Sequence, residues 1–161
     1  MKKVLVIGCP GSGKSTFSKA LHDKTHLPLY HLDLLYWNAD RTHVSRPVFL
    51  ERLSPLLLQD AWIIDGNYAH TLPMRLEACD TVFFLDYPTD VCLEGLAARR
   101  GTSRPDLPWV ETEEDPDLCS FVETYRTATR PETLALLARH PEKTLRHFCT
   151  RTDADAFLKT L

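Results

Sequence analysis

The stretch that decides the fold is VLVIGCPGSGKS, running from Val4 to Ser15. An apolar run ends at Ile7, and a turn-forming segment follows. From Lys14 a helical pattern sets in, with Phe17, Ala20 and Leu21 on one side. Between them, Gly8-Cys9-Pro10-Gly11-Ser12-Gly13-Lys14-Ser15 fits G-x-x-x-x-G-K-[ST] in full. Each fixed position has a chemical reason. Gly8 and Gly13 permit backbone angles that a Cβ would forbid, so the N–H groups of the loop can converge on anionic oxygens. The helix opening after them adds its positive end. Lys14 is placed to reach β- and γ-phosphates, and the Ser15 hydroxyl is placed for Mg²⁺. The sequence thus predicts a seat for ATP·Mg²⁺ over Gly8, Pro10, Gly11, Ser12, Gly13, Lys14, Ser15 and Thr16.

Working outward, four more short apolar runs appear at Leu29–Leu32, Ala61–Ile64, Thr81–Leu85 and Leu145–Cys149. With Lys3–Ile7 they read as buried parallel strands bounded by polar or turn residues. Helical patterns separate them, at Lys14–Lys24, Pro47–Gln59, Pro88–Arg100, Leu118–Thr129, Pro131–His140 and Asp153–Leu161. Pro55 is expected to kink or divide the second of these. Strands alternating with helices imply a doubly wound α/β sheet. Two connections exceed simple turns, one from Asp33 to Gln59 and one from Gly101 to about His140. Ligands of open α/β sheets sit beyond the carboxyl ends of the strands, and long excursions there serve as binding loops or lids.

The whole chain bounds the reading. Its 161 residues suit one domain spanning 1–161 with one core. A net charge of −3 lacks the broad positive field of a non-specific DNA binder, so direct nucleic-acid binding is not expected. The cysteines, Cys9, Cys79, Cys92, Cys119 and Cys149, are scattered and form no C-x-x-C pair, which favours reduced thiols in a cytosol. The apolar run at Val4–Ile7 is too short for a signal peptide, and no stretch approaches a membrane span. The expectation is a soluble cytoplasmic protein.

Three aspartates end apolar runs. Asp65 closes Trp62-Ile63-Ile64-Asp65 and is a candidate for the metal side of the site; its other reading is a turn former ahead of Gly66-Asn67. Asp86, ahead of Tyr87-Pro88, reads more readily as a cap. Asp33 closes Leu29-Tyr30-His31-Leu32-Asp33 and can bind an acceptor hydroxyl, act as general base, or simply cap the strand. Arg99, Arg100 and Arg104 open the second long connection, and Arg126 and Arg130 stand where it returns. Planar guanidinium forks on both legs of a loop suit a lid that closes on phosphates. The bland reading is surface arginine near helix ends. Glu111 to Asp117, with five acids in seven residues, reads as a solvated lid tip. Leu34-Leu35-Tyr36-Trp37 is either core or a ring-stacking surface, with core preferred.

Taken together, GCPGSGKST, LPLYHLDLLYW, WIIDGNY followed by MRL, TVFFLDYP, RRGTSRPDL and TRPETLALL resemble the adenylate-kinase-like and shikimate-kinase-like small P-loop kinases. Within them the chain is most similar to bacterial proteins labelled "DNA topology modulation protein", of the flagellar-regulator type. The resemblance spans Gly8 to Leu137. It implies a three-layer α/β/α P-loop NTPase fold, a five-stranded parallel sheet of order 2-3-1-4-5, a short lid over residues 101–130, and an acceptor-binding excursion over 33–60. It implies ATP and Mg²⁺, with Ser15 and Asp65 at the metal and Arg99 or Arg100 and Arg104 on ATP. It also implies Arg126 and Arg130 on the transferred phosphate, and the loop Thr150-Arg151-Thr152 on adenine. One departure stands out. Adenylate kinases follow Asp-Gly with Phe-Pro-Arg, whereas this chain has Asp65-Gly66-Asn67-Tyr68 and its next arginine is Arg75. The expected activity is transfer of the ATP γ-phosphate to a small acceptor, either nucleoside monophosphate-like or hydroxyl-bearing. Arg41, Arg46 or Arg75 would be the cations for the former. The rival expectation is a nucleotide-dependent ATPase or switch acting on a protein or DNA partner.

Overall fold

The computed structural model describes residues 1–161. Five strands form one sheet: β1 Lys3–Gly8, β2 Leu29–His31, β3 Trp62–Asp65, β4 Thr81–Leu85 and β5 Thr144–Phe148. All pair in parallel, in the order β2-β3-β1-β4-β5. Parallel strands need crossovers, and helices supply them on both faces. Side-chain alternation along β1 divides the core in two. Val4 and Val6 face one side, packed with Phe17 and Leu21 of α1 (Lys14–Thr25), Cys92 and Leu96 of α5 (Thr89–Arg99), Val122 of α6 (Pro116–Tyr125) and Leu158 of α8 (Arg151–Lys159). Leu5 and Ile7 face the other side. They pack with Leu32 of α2 (Leu32–Tyr36), Phe49 and Leu53 of α3 (Arg46–Leu57), Leu76 of α4 (Leu72–Ala78) and Leu137 of α7 (Thr129–Ala138). The expected three-layer α/β/α sandwich is therefore present. Edge strand β5 is mostly exposed and carries Arg146, a charge that discourages pairing with another edge.

The structure departs from expectation in three local respects. Pro55 does not divide α3, because it lies in the last turn, where its missing N–H removes one bond and the helix runs on to Leu57. Ser45 starts that helix, its Oγ accepting from Val48 N. The second strand stops at His31, and Leu32 opens helix α2, so Asp33 sits in a first helical turn rather than at a strand end. Helix α4 was too short, at seven residues, to show a period in sequence.

Arg75 of α4 is the deepest charge in the molecule, at 0% exposure. Its Nε donates to Thr71 Oγ1 at 3.0 Å and its Nη1 to Gly66 O at 3.0 Å; Nη2 donates to Tyr68 O at 3.3 Å and also to Asn67 O. It therefore ties down the turn that follows β3, and its donors are taken inside the fold, which removes it from the acceptor-binding set. Burial pushes its guanidinium below the ordinary value. None of the cysteines is bonded to another. No helix is long and apolar enough to cross a membrane.

Candidate active site

The loop after β1 turns tightly against α5. Gly11 has φ 82, and a Cβ there would lie 2.0 Å from Cys92 O. The fit is reciprocal, since a Cβ on Gly95 in mid-α5 would lie 2.0 Å from Gly11 O. Gly95 was not legible as part of the site, because a glycine inside a helical pattern looks like a weak helix former. Gly95→Ala would gain about 1 kcal/mol on an exposed helix. Here it should destabilise the fold and weaken ATP binding by about tenfold or more, equivalent to about 1.4 kcal/mol. Calorimetric titration with ATP checks this, and unchanged affinity would separate Gly95 from the loop's shape.

Helix α1 opens at Gly13 with no side-chain cap and no acid in its first turn, so its N-terminal N–H groups are left to an incoming anion. Lys14 Nζ donates to Gly8 O and Cys9 O, at 3.0 Å each. Burial pushes the Lys14 ammonium below its ordinary value, opposed by the charges of Asp65 and Asp33. Around this loop runs one cavity of about 940 Å³, roomy for a nucleotide and more. Pro10, Gly11, Gly13, Lys14, Ser15 and Thr16 form its floor, and Arg151 of α8 joins them. Arg151 Nη2 donates to Gly11 O at 3.1 Å, and its guanidinium lies 5.7 Å from the Tyr87 ring centre. Gly8 and Ser12 are not in the cavity wall. A Cβ on Gly8 would lie 2.4 Å from Leu85 O, and the Ser12 hydroxyl is buried without a protein partner. Their part is the shape of the loop.

Asp65 and Asp33 both line the cavity. Asp65 is 4% exposed, and His31 Nδ1 donates to both of its oxygens at 3.0 Å. Burial works against a charged His31, but the Asp65 hydrogen bond and charge outweigh it and raise His31 above its ordinary value. Asp33 Oδ1 accepts from Tyr68 Oη at 2.6 Å. Burial pushes the Asp33 carboxyl up, against the Tyr68 bond and the Lys14 charge. Asp33 thus combines an anchored oxygen with raised basicity, as a proton acceptor requires.

The connection between α5 and α6 is tied to the phosphate loop through Asp106. Ser15 Oγ donates to Asp106 Oδ2 at 2.7 Å. Arg104 grips the same carboxylate, Nε to Oδ1 at 3.0 Å and Nη2 to Oδ2 at 2.7 Å. Arg104 Nη1 and Arg99 Nε both reach Glu111 Oε2, at 2.9 and 2.8 Å. Burial opposes the charge of Asp106, but the bonds from Arg104 and Ser15 hold it below the usual carboxylate range. Arg99 and Arg104 line the cavity, each paired with carboxylates of the same connection. Glu111 is consequently not part of a solvated tip. Asp106 stands inside RRGTSRPDL, but nothing in its spacing gives it a partner; only the folded chain brings it to Ser15.

Three predicted arginines lie elsewhere. Arg100 points away from the cavity, 4.0 Å from Glu114. Arg126 and Arg130 turn to Asp86, which is 3% exposed and requires partners at that depth. Arg130 Nε and Nη2 reach its two oxygens at 2.8 Å each, Arg126 Nη1 lies 3.6 Å away, and His147 Nε2 donates at 2.7 Å. Cys149 completes a set of three donor residues whose ligand atoms lie within 4.8 Å, but Arg130 already holds both Asp86 oxygens. Asp86 is therefore the hub of an ion-pair cluster and not a helix cap, since α5 takes no side-chain cap. Burial opposes its charge, yet Arg130 and His147 hold its carboxyl below the ordinary range. A depressed carboxylate stabilises the fold above its unfolded value of about 3.9, and that contribution fades as pH falls through the lower folded value. Asp106 acts in the same direction. Asp86→Asn should flatten the loss of stability below about pH 4 in urea titrations; parallel wild-type and variant curves would remove Asp86 from acid sensitivity.

The far end of the cavity is aromatic. Trp37, just after α2, meets Trp109 of the lid edge-on at 5.5 Å between ring centres, and both line the cavity beside Tyr68. Tyr36 packs inward on Phe49 and stacks on His43 at 4.8 Å, whereas Leu34 is exposed. The run Leu34–Trp37 thus divides its residues between core, cavity and surface.

No protein-family profile matches the chain, and no curated protein matches it. Solved structures do. Shikimate kinase from Acinetobacter baumannii, in complex with shikimate, superposes with a TM-score of 0.63 at 15% identity, over 99% of this chain and 92% of that one. Shikimate kinase from Bacteroides thetaiotaomicron gives 0.60 at 17% identity, over 98% and 94%. At such identities the likeness is one of fold, and the fold of this chain is the P-loop α/β fold of the shikimate kinases.

Proposed function

We propose that this protein is an ATP-dependent phosphotransferase, passing the γ-phosphoryl group to a small molecule held in the same cavity. One observation carries the reading. A single cavity joins the phosphate loop, two lid arginines and an anchored, basic carboxylate, Asp33. In that arrangement the triphosphate lies along Gly11–Thr16 under the N-terminus of α1. Lys14 exchanges its two carbonyl partners for phosphate oxygens. Arg99 and Arg104 exchange Glu111 and Asp106 for the transferring group and spread its charge. Arg151 is placed for the nucleotide end. The oxygens of Ser15, Asp65 and Asp106 form a hard donor set that suits Mg²⁺. When bound there, Mg²⁺ neutralises charge on the β- and γ-oxygens. The lid, joined to the floor through Asp106, excludes water so that the acceptor receives the group.

The A. baumannii neighbour holds a small molecule, shikimate, which supports a small-molecule acceptor here by analogy of fold. The rival, an ATPase switch, has no use for a carboxylate anchored by Tyr68 at the far end of the nucleotide cavity. The test follows γ-labelled ATP with nucleosides, nucleoside monophosphates, polyols, shikimate and duplex DNA. Label entering one organic product supports transfer. Label released only as inorganic phosphate, at a rate no small molecule changes, would sink it.

A further inference from the structure

We infer that the acceptor is an uncharged, hydroxyl-bearing molecule with a flat ring, and not a phosphomonoester or a carboxylate. This rests on the phosphotransferase reading and names its substrate class. The cations of the cavity come from one set of elements: Lys14, Lys19, Arg99, Arg104 and Arg151 lie on the phosphate loop, α1, α8 or the stretch that ends and follows α5. The lining supplied by α2, by the turn after β3 and by Trp109, namely Asp33, Trp37, Asn67, Tyr68 and Trp109, adds no cation. The arginines nearest in sequence do not serve this lining. Arg75 is consumed by the carbonyls of Gly66, Asn67 and Tyr68. Arg41 lies 5.8 Å from the Trp109 ring centre without lining the cavity, and Arg46 is exposed at the start of α3. The cations that do feel Asp33, Lys14 and Arg104, are the ones the proposed triphosphate would occupy, so an anionic acceptor would meet the Asp33 carboxylate with no cation left to it, and like charges repel most where water is excluded.

The groups present suit a neutral ring. Trp37 and Trp109, packed edge to face on each other, form one continuous aromatic wall, one ring from the excursion and one from the connection after α5. Asn67 Oδ1 is taken by Gly8 N at 3.2 Å, so its amide nitrogen keeps both hydrogens for an acceptor oxygen. Tyr68 holds one oxygen of Asp33, and the other has no protein partner. That second oxygen accepts the proton of the attacking hydroxyl. The hydroxyl oxygen forms a bond to Pγ, the bond from Pγ to the β–γ bridging oxygen breaks, and its electron pair leaves with ADP.

Matched probes test this: adenosine, guanosine, cytidine and thymidine against their 5′-monophosphates, with ribitol as a ring-free polyol and shikimate as an anionic ring. Tryptophan quenching reports binding to protein loaded with a non-hydrolysable ATP analogue, and γ-label reports transfer. At least one nucleoside should bind and accept label, with its monophosphate weaker by about a hundredfold, equivalent to about 2.7 kcal/mol. Trp37→Arg, which brings a cation to that end, should shift preference towards the monophosphate by about tenfold or more. Better transfer to a monophosphate or to shikimate overturns the inference while leaving phosphotransfer intact. Ribitol binding as well as the nucleosides overturns the flat-ring assignment, and binding by no neutral probe overturns the whole of it. A nucleoside that binds without taking label upholds the assignment of the pocket and defeats the phosphotransferase reading.

Discussion

Lys14→Ala should lower ATP-dependent turnover by at least about a hundredfold to a thousandfold, the usual cost of removing one preorganised charge-stabilising donor from a transition state. The geometry explains why the loss falls on chemistry rather than on folding. In the free protein Nζ is held only by Gly8 O and Cys9 O. Those bonds contribute little net stability, because burial already penalises the ammonium. Against a triphosphate the same group would carry the charge that develops on the β- and γ-oxygens. Lys14→Met, which keeps much of the stem, should be nearly as inactive and fold as well as wild type. ADP release and urea midpoints measured on the same preparations check both halves. Full activity in either variant would remove the basis of the functional assignment.

Arg75→Ala is expected to be the most damaging substitution to the fold outside the apolar core. It would strip the guanidinium from the carbonyls of Gly66 and Asn67, while Tyr68 O keeps Thr71 N and Oγ1. A buried polar group left unsatisfied costs about 1–3 kcal/mol, so a loss of at least about 2 kcal/mol is expected. For a chain of this size that lowers Tm by roughly 4–8 °C. Because the same turn carries Asn67 and Tyr68 into the cavity, acceptor binding should weaken even at temperatures where the variant stays folded. Thermal melting followed by acceptor titration separates the two effects. A variant with unchanged Tm would show that the turn holds itself without the guanidinium.

Some of this was readable before folding, and the boundary has physical causes. Strands buried on both faces advertise themselves as short apolar runs. The runs at Lys3–Ile7 and Thr81–Leu85 foretold β1 and β4 to within a residue, and the sandwich followed from their alternation with helices. The phosphate loop was readable because its chemistry constrains neighbours in sequence: glycines for the turn, then lysine and serine at the helix start. Short helices were not. Leu32–Tyr36 continues an apolar run that reads as strand, and only the folded chain shows Asp33 in a helical turn with its oxygen on Tyr68.

The arginines mark the limit most clearly. All five bracketing the lid looked alike in sequence, since each could face a phosphate. Two of them, Arg126 and Arg130, are drawn off by a carboxylate buried at the end of β4, and a third, Arg100, by an acid on the lid. Arg75, which resembled an acceptor contact, is used inside the fold. Conversely, Asp106 and Gly95 enter the site through contacts with Ser15 and Gly11, partners 91 and 84 positions away in the chain. Local patterns thus determined the strands, the crossovers and the glycine-rich loop that opens α1, because backbone geometry acts between near neighbours. Which charges face the cavity and which stay inside was decided only by tertiary packing, because a buried charge takes the partner the fold brings to it, however far off in sequence.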